Sequence, residues 1–383
     1  MWPYWVMFLL PSLAALQTSH LDWGAAARLP ASRAHFPSTV VGLVLTLLIG
    51  YRFEVGGDWF NYFRYLDEVR GLDFADVILK SDPAYQILTW ISLEMDWGII
   101  GVNLIGGAIF AFSLVAFCVA QPQPWLALAV AVPYLVIVVA MGYSRQAIAL
   151  GIEMLGLLSL RNKSTLNFVI SIILAATFHK TAMLLLPIAA LANSSNRYWT
   201  ASWVGLTGVV LYYLLLAKDA DTLVTNYVGG AMQSEGAAVR LVMNAVPASI
   251  ILIWGSRFSF AESEASLWRW IAIISLLLLG LFLMMPSAST ALDRMALYML
   301  PLQLVVFSRL PFVLGAKSRI NQRAHSAALP GSSIKRLTAR KDAQILMFAV
   351  LLYYGLVQFI WLNFAANAYA WQRYRFYPLE LLS

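Results

Sequence analysis

Long apolar runs broken by short polar intervals dominate this chain. Stretches of spanning or near-spanning length recur near 1–16, 38–50, 98–120, 125–142, 145–160, 165–178, 181–192, 199–217, 241–255, 268–285, 294–309 and 343–363. Runs of this length predict membrane helices, so the expected architecture is all-α, a single polytopic domain over 1–383 with about twelve transmembrane passes. Several runs are short for a hydrocarbon core about 30 Å thick. The pair flanking His179 reads either as two short spans or as one bent helix.

One polar stretch stands out against this background. Residues 51–65, YRFEVGGDWFNYFRY, interleave Arg52, Glu54, Asp58, Asn61 and Arg64 with aromatic side chains. In so apolar a chain, such a segment belongs where water and a polar ligand can reach it. Gly56-Gly57-Asp58 precedes a predicted helix ending near Gly71, with Asp58 as its N-cap. Asp82-Pro83 opens a second helix running to about Asp96. At about 14 residues that helix is expected to lie on the membrane rather than to cross it. Residues 51–97 therefore form a helical loop on one face.

Composition sharpens the picture. The chain has 383 residues, 61% hydrophobic and 12% charged, with a mean hydropathy of +0.72. A soluble protein of this size could not bury that much apolar surface, so the solvent is a bilayer. The net charge of +7 does not indicate nucleic acid, because the excess sits in one place. Arg309, Lys317, Arg319, Arg323, Lys335, Arg336, Arg340 and Lys341 follow one another with no acid between them. This basic 310–342 loop and the Arg161-Asn162-Lys163 turn mark the cytoplasmic side. Counting outward then puts 51–97, 142–146, 178–182, 218–240, 286–294 and the tail after 363 on the other face. The stretch 321–334 reads as a linker. The N-terminal run lacks a basic start and is expected to be a retained first span rather than a cleaved leader. The single cysteine, Cys118, lies in an apolar run and offers neither an internal disulfide nor a metal cluster.

This topology gathers cations at one face. Helices that begin there carry Arg145, Lys180 beside His179, Arg240, and Arg294 beside Asp293. A helix N-terminus already bears partial positive charge, and external arginines oppose the positive-inside bias. A bound anion removes both penalties, and a diphosphate suits paired arginines. Arg373 and Arg375 in the tail could join the cluster. A lone arginine at a span end is, on the general rule, a headgroup anchor, and a lone histidine a hydrogen-bonded core residue. Their accumulation with Asp58 at one face favours a site. Glu153, mid-span, is a secondary functional candidate. Asp219-Ala-Asp221 fits the short DxD pattern of metal-dependent glycosyltransferases, but three residues match by chance often and a solvated loop is the better explanation. Trp59, Tyr62 and Tyr65 could stack on sugar rings. No nucleophile elbow, zinc-protease, Walker or dinucleotide-binding motif is present, and no cofactor is called for.

Taken in order, several motifs resemble one known group. They are Arg52-x3-Gly56-Gly57-Asp58-x3-Tyr62, Asp82-Pro83-x-Tyr85, Ser144-Arg145-Gln146-Ala147-Ile148-Ala149, Phe178-His179-Lys180-Thr181-Ala182 with Pro187 downstream, and Asp293-Arg294-x3-Tyr298. The set resembles the EpsG-like branch of the Wzy-type O-antigen and exopolysaccharide polymerases. One departure is Asp82-Pro83-Ala84-Tyr85, where the family more often has Glu-Pro-Gly-Tyr. The resemblance implies a bacterial inner-membrane enzyme with a helical core similar to the GT-C glycosyltransferases. Such enzymes join oligosaccharide units carried on undecaprenyl pyrophosphate at the periplasmic face.

On that reading, donor and acceptor are both lipid-linked glycans and the bilayer is the solvent. A chain-length regulator protein is a further partner, and nucleic acid is not one. Arg145 and Arg294 would stabilise the departing diphosphate, assisted by Arg52, Lys180, Arg240 and Arg373. Asp58 and His179 are the candidates for base or orienter of the acceptor hydroxyl, with Tyr62 beside the substrate. Asp293 is expected to orient Arg294. The competing readings are a lipid-linked oligosaccharide flippase and an O-antigen ligase.

Overall fold

The computed structural model describes residues 1–18, 36–192, 197–217, 234, 236–315 and 332–382. Helical structure covers the apolar stretches, with that at 294–309 broken by a turn at 298–300. Four of them, Gly98–Val119, Ala237–Arg257, Glu262–Met284 and Asp342–Phe364, are long and apolar enough to cross a membrane. A fifth candidate is the bent pair Pro286–Leu297 and Pro301–Leu314, which turns through 57°. Ser38–Gly50, Pro124–Ala140, Thr165–Phe178 and Lys180–Leu191 are apolar but shorter. Large apolar side chains face outward along the helices, among them Leu10, Val40, Leu277 and Phe348. Hydroxyls inside them are satisfied by their own helix: Ser12 donates to the Phe8 carbonyl, Thr46 to Gly42 and Ser275 to Ile271. This is a multi-pass membrane protein.

The chain runs back and forth between two polar ends. The Ser144–Arg161 helix begins at one with Arg145 and finishes at the other with Arg161, about 24 Å away at the helical rise. At the Arg161 end, Glu264 pairs with Arg161 at 3.6 Å and Arg309 at 3.2 Å, and Gln121 also accepts from Arg309. These residues tie four helix ends together. Arg309, expected to belong to the basic loop, is buried in this clamp on the Pro301–Gly315 helix. The helix Ser332–Phe364 likewise begins inside the stretch read as a linker, and the rest of that stretch lies outside the described residues.

At the Arg145 end the chain folds over itself. Helix Trp59–Val69 follows the glycine pair, as the pattern requires, but the Asp58 carboxylate accepts from Asn61 Nδ2 at 3.2 Å and caps no backbone amide. Helix Pro83–Glu94 packs beneath it through Tyr62, Tyr65 and Tyr85, whose ring centres lie 5.9 to 6.1 Å apart. The tail then returns. Arg375–Phe376 forms a two-residue antiparallel ribbon with Arg52–Phe53, pairing Arg52 with Phe376 and Phe53 with Arg375. Trp371 is sealed beneath, its indole N–H donating to the Ile137 carbonyl at 2.8 Å. Two glycines permit this closeness. Gly56 adopts φ +106°, and a Cβ there would stand 2.2 Å from the Met141 carbonyl oxygen; a Cβ on Gly142 would stand 2.7 Å from the Trp371 ring.

Candidate functional site

Four chain segments meet at the Arg145 end. The first is the turn before helix Pro83–Glu94, where Asp82 takes a left-handed conformation with φ 55°. Its carboxylate accepts from Arg145 at 2.7 Å and from the Lys180 backbone N–H at 3.1 Å. Asp82 therefore joins the 51–97 loop to helix Ser144–Arg161 and to the start of helix Lys180–Leu185. Burial raises its carboxyl above the ordinary value, against the lowering pull of Arg145 and of the Lys180 amide. The Arg145 guanidinium is partly open to solvent and lies 4.5 Å above the Tyr65 ring centre and 6.0 Å from that of Tyr85.

The second segment is the break between helices Thr165–Phe178 and Lys180–Leu185, where His179 is extended. The His179 region is thus two short helical pieces. Thr181 Oγ1 lies 2.7 Å from His179 Nδ1 and 3.2 Å from the Tyr298 hydroxyl. Burial and the charges of Arg145, Arg294 and Lys180 hold the imidazole well below its ordinary value. The ring is therefore neutral at pH 7, and three predicted cations act on it together.

The third segment is helix Ser289–Leu297. Arg294 sits in its last turn, not at a helix start, because the break before Pro301 ends the helix there. Arg294 donates to Gln146 Oε1 at 2.9 Å while Gln146 Nε2 donates to the Arg294 carbonyl at 3.1 Å. The guanidinium lies 5.0 Å from the Tyr143 ring centre. Asp293 does not orient Arg294. It holds Arg240, which donates to both its carboxylate oxygens and to the Tyr134 hydroxyl at 2.9 Å. Successive residues on a helix point about 100° apart, which is why the two neighbours serve different partners.

The fourth segment is the first turn of helix Ala237–Trp254, which carries Arg240. Between this helix and Ser332–Phe364 opens a cavity of about 1090 Å³. Arg240, Asp293, Arg294 and Tyr143 line its polar part, and Val239, Val242, Val357, Ile360, Trp361 and Phe364 its apolar part. Under it a polar chain crosses the core. Asn244 donates to the Ala296 carbonyl, Gln303 to Asn244 and Tyr354 to Gln303, each at 2.7 Å.

The ordered motifs thus lie around one end of one helical bundle, as a shared ancestry would leave them. The chain belongs to the EpsG family. Residues 35–322 match the family profile, which is more than half of the chain. No curated protein and no solved structure matches it. Membership in the EpsG family points to a polysaccharide-polymerase-like membrane protein, and so to a glycosyltransferase-like activity. The tail that covers Gly57 and Gly142 lies beyond the family match.

Against this geometry the predicted residues separate. Arg145, His179, Lys180 and Arg294 come together, and Arg240 with Asp293 adjoins them at the cavity. Tyr62 connects Asp58 to the group. Burial, then the Asp58 charge, push its phenol up to about 12, against the pull of Arg145, Arg52 and Ser144. Arg52 lies beneath the surface, not at it. It donates to the Ile49 carbonyl, Asn103 and Ser144 at 2.6 to 2.8 Å and is 1% exposed, so it braces the loop. Arg373 lines a separate exposed recess with Glu54 and Arg375. Arg375 pairs with Glu54 and Glu380. Glu153 is buried in the core, and its carboxylate has no hydrogen bond among the described residues. Asp219 and Asp221 lie outside the described residues. Among the described residues, no group of three His, Cys, Asp or Glu could hold a metal ion.

Sequence reasoning missed Asp82, Gln146, Thr181 and Tyr298 as members of the site. All four stand within the quoted motifs, which was the available signal.

Proposed function

We propose that this EpsG-family protein is a polysaccharide polymerase that joins undecaprenyl-pyrophosphate-linked oligosaccharide units. It would work at the periplasmic face of a bacterial inner membrane, with about twelve passes and a core related to GT-C glycosyltransferases. The observation that carries this reading is the cavity between helices Ala237–Trp254 and Ser332–Phe364. Its polar part has the cations a diphosphate needs, and its apolar part has the surface an isoprenoid chain needs.

In the proposed reaction the anomeric C–O bond of the donor breaks and its electron pair goes to the departing diphosphate. Arg294 and Arg145, held by Gln146 and Asp82, stabilise that charge. No metal is required for this step, because fixed guanidiniums supply the positive field. The acceptor hydroxyl attacks the anomeric carbon and loses its proton to a base, for which the partly exposed Asp58 carboxylate is the first candidate. The partly exposed Tyr65 ring, beside Arg145 and backed by the buried Tyr85, is the aromatic surface for the sugars. A chain-length regulator would act on this enzyme from outside the bundle.

The test is glycan chain length in membranes carrying Arg145→Ala or Arg294→Ala at normal expression. Loss of one transition-state contact should cost about 3–4 kcal/mol, or hundreds-fold in rate. Long polymer from both variants would end the leaving-group assignment. The transport reading draws on Glu153, an unpaired carboxyl deep in the bundle. Deleting the gene separates the two. Single lipid-linked units accumulate outside if a polymerase is lost and inside if a flippase is lost.

A further inference from the structure

We propose that Tyr298 and Thr181 fix His179 as the Nε2–H tautomer, so that His179 donates a hydrogen bond to the substrate diphosphate instead of accepting the acceptor's proton. Tyr298 is 1% exposed. Its hydroxyl has one partner among the described residues, Thr181 Oγ1 at 3.2 Å. Of the two carboxylates within electrostatic reach, Glu153 makes no hydrogen bond with the described residues, and Asp82 accepts from Arg145 and the Lys180 backbone amide. A buried phenol proton left without an acceptor costs about 1–3 kcal/mol, so Tyr298 donates to Thr181. The Thr181 hydroxyl has a single proton, and its other neighbour is His179 Nδ1 at 2.7 Å. That proton goes to Nδ1, which must then be the unprotonated nitrogen. In a neutral ring the remaining proton is on Nε2.

The orientation of the chain decides what the histidine can do. With Nδ1 occupied as an acceptor, the ring presents only an N–H on its other edge. His179 is half-buried, and that edge has no protein partner among the described residues. The charges of Arg145, Lys180 and Arg294 all act on the ring, so an anion held by them is the group Nε2–H would meet. The same charges oppose a second proton, which a general base at this position would have to take up. Thr181 and Tyr298 are positioning residues, and His179 is the group that touches substrate.

The donor role rests on the polymerase reading, whereas the tautomer does not, so the test has two parts. Full-length protein labelled with 13C,15N-histidine is placed in bilayers at pH 7.5, and the His179→Gln spectrum is subtracted to leave the His179 ring. The expected result is a protonated Nε2 and a bare Nδ1, with the preference lost in Tyr298→Phe. A protonated Nδ1, or a wild-type tautomer in Tyr298→Phe, overturns the proposal whatever the enzyme makes. The second part compares His179→Gln with His179→Ala for polymer length. Glutamine places an amide N–H near the Nε2 position, so it should restore at least tenfold of the activity that alanine loses. Equal loss in both variants would overturn the donor role. If wild-type membranes extend no lipid-linked glycan, the polymerase reading fails while the tautomer result stands.

Discussion

Asp293 holds Arg240 and not Arg294, its neighbour in the chain. One acid is used to anchor the cavity wall, and the adjacent arginine is left to a neutral partner, Gln146. An arginine held by an amide keeps its full charge for a ligand, whereas one buried and held by both oxygens of a carboxylate is largely neutralised. Arg145, bound by one Asp82 oxygen and partly exposed, lies between these cases. Arg294 is therefore the more effective anion contact of the two, and Arg240 the more structural one.

The buried pair predicts a particular pattern of stability. Arg240 and Asp293 are both nearly sealed, with side-chain exposures of 5% and 7%. Removing one partner strands the other, which costs about 3–5 kcal/mol. Arg240→Met and Asp293→Leu should each lower the thermal unfolding midpoint in detergent, and the double variant should recover a large part of the loss. If the single variants match wild type, the pair is not anchoring the fold.

A second prediction concerns the outer loop. Gly56→Ala would place a methyl group 2.2 Å from the Met141 carbonyl oxygen at a backbone angle that L residues rarely adopt. The left-handed geometry alone costs about 1–2 kcal/mol, and the clash must move backbone as well. The glycine pair sets where Asp58 begins its helix, so polymer synthesis should fall at least tenfold while membrane insertion continues. Wild-type chain length in Gly56→Ala would show that the loop's path does not matter to the site.

What could be read beforehand, and what could not, follows from range. Helices such as Gly98–Val119 are written in continuous apolar runs, so a local pattern suffices to find them. Asp82 looked like a helix start because Asp-Pro is a local signal, yet its partner Arg145 is 63 positions away. Residues 294–309 are apolar on average, which predicts a helix starting at Arg294. The turn at Tyr298, Met299 and Leu300 breaks that run without a polar residue to mark it. The ribbon between Arg52–Phe53 and Arg375–Phe376 is two residues long and has no periodicity to detect.

The tail provides a third prediction. Trp371 packs against Gly142 and Gly57 and donates to the Ile137 carbonyl. Trp371→Ala should cost about 3–5 kcal/mol from the cavity and the lost hydrogen bond together. The effect should concentrate on the 51–97 loop, so limited proteolysis of the purified protein should cut between 51 and 97 in the variant and spare wild type. Equal resistance would mean that the tail is not what holds the loop down.

The last prediction comes from His179 and its neutrality. Its folded value is well below the ordinary 6.5, through burial first and then the charges of Arg145, Arg294 and Lys180. As pH falls through 6.5 the unfolded chain takes up a proton there and the folded protein does not. Folding stability from this group is therefore complete above that pH and declines below it, by at most about 1.4 kcal/mol per pH unit until the lower folded value is reached. His179→Gln has no such group, so its thermal midpoint should fall less than that of wild type between pH 7 and pH 5. The same neutrality removes one limb from the activity profile. Polymerisation should show no loss with an apparent pKa near 6.5 that disappears in His179→Gln. If such a limb is found, the imidazole gains its proton within the working range and the three surrounding cations do not govern it.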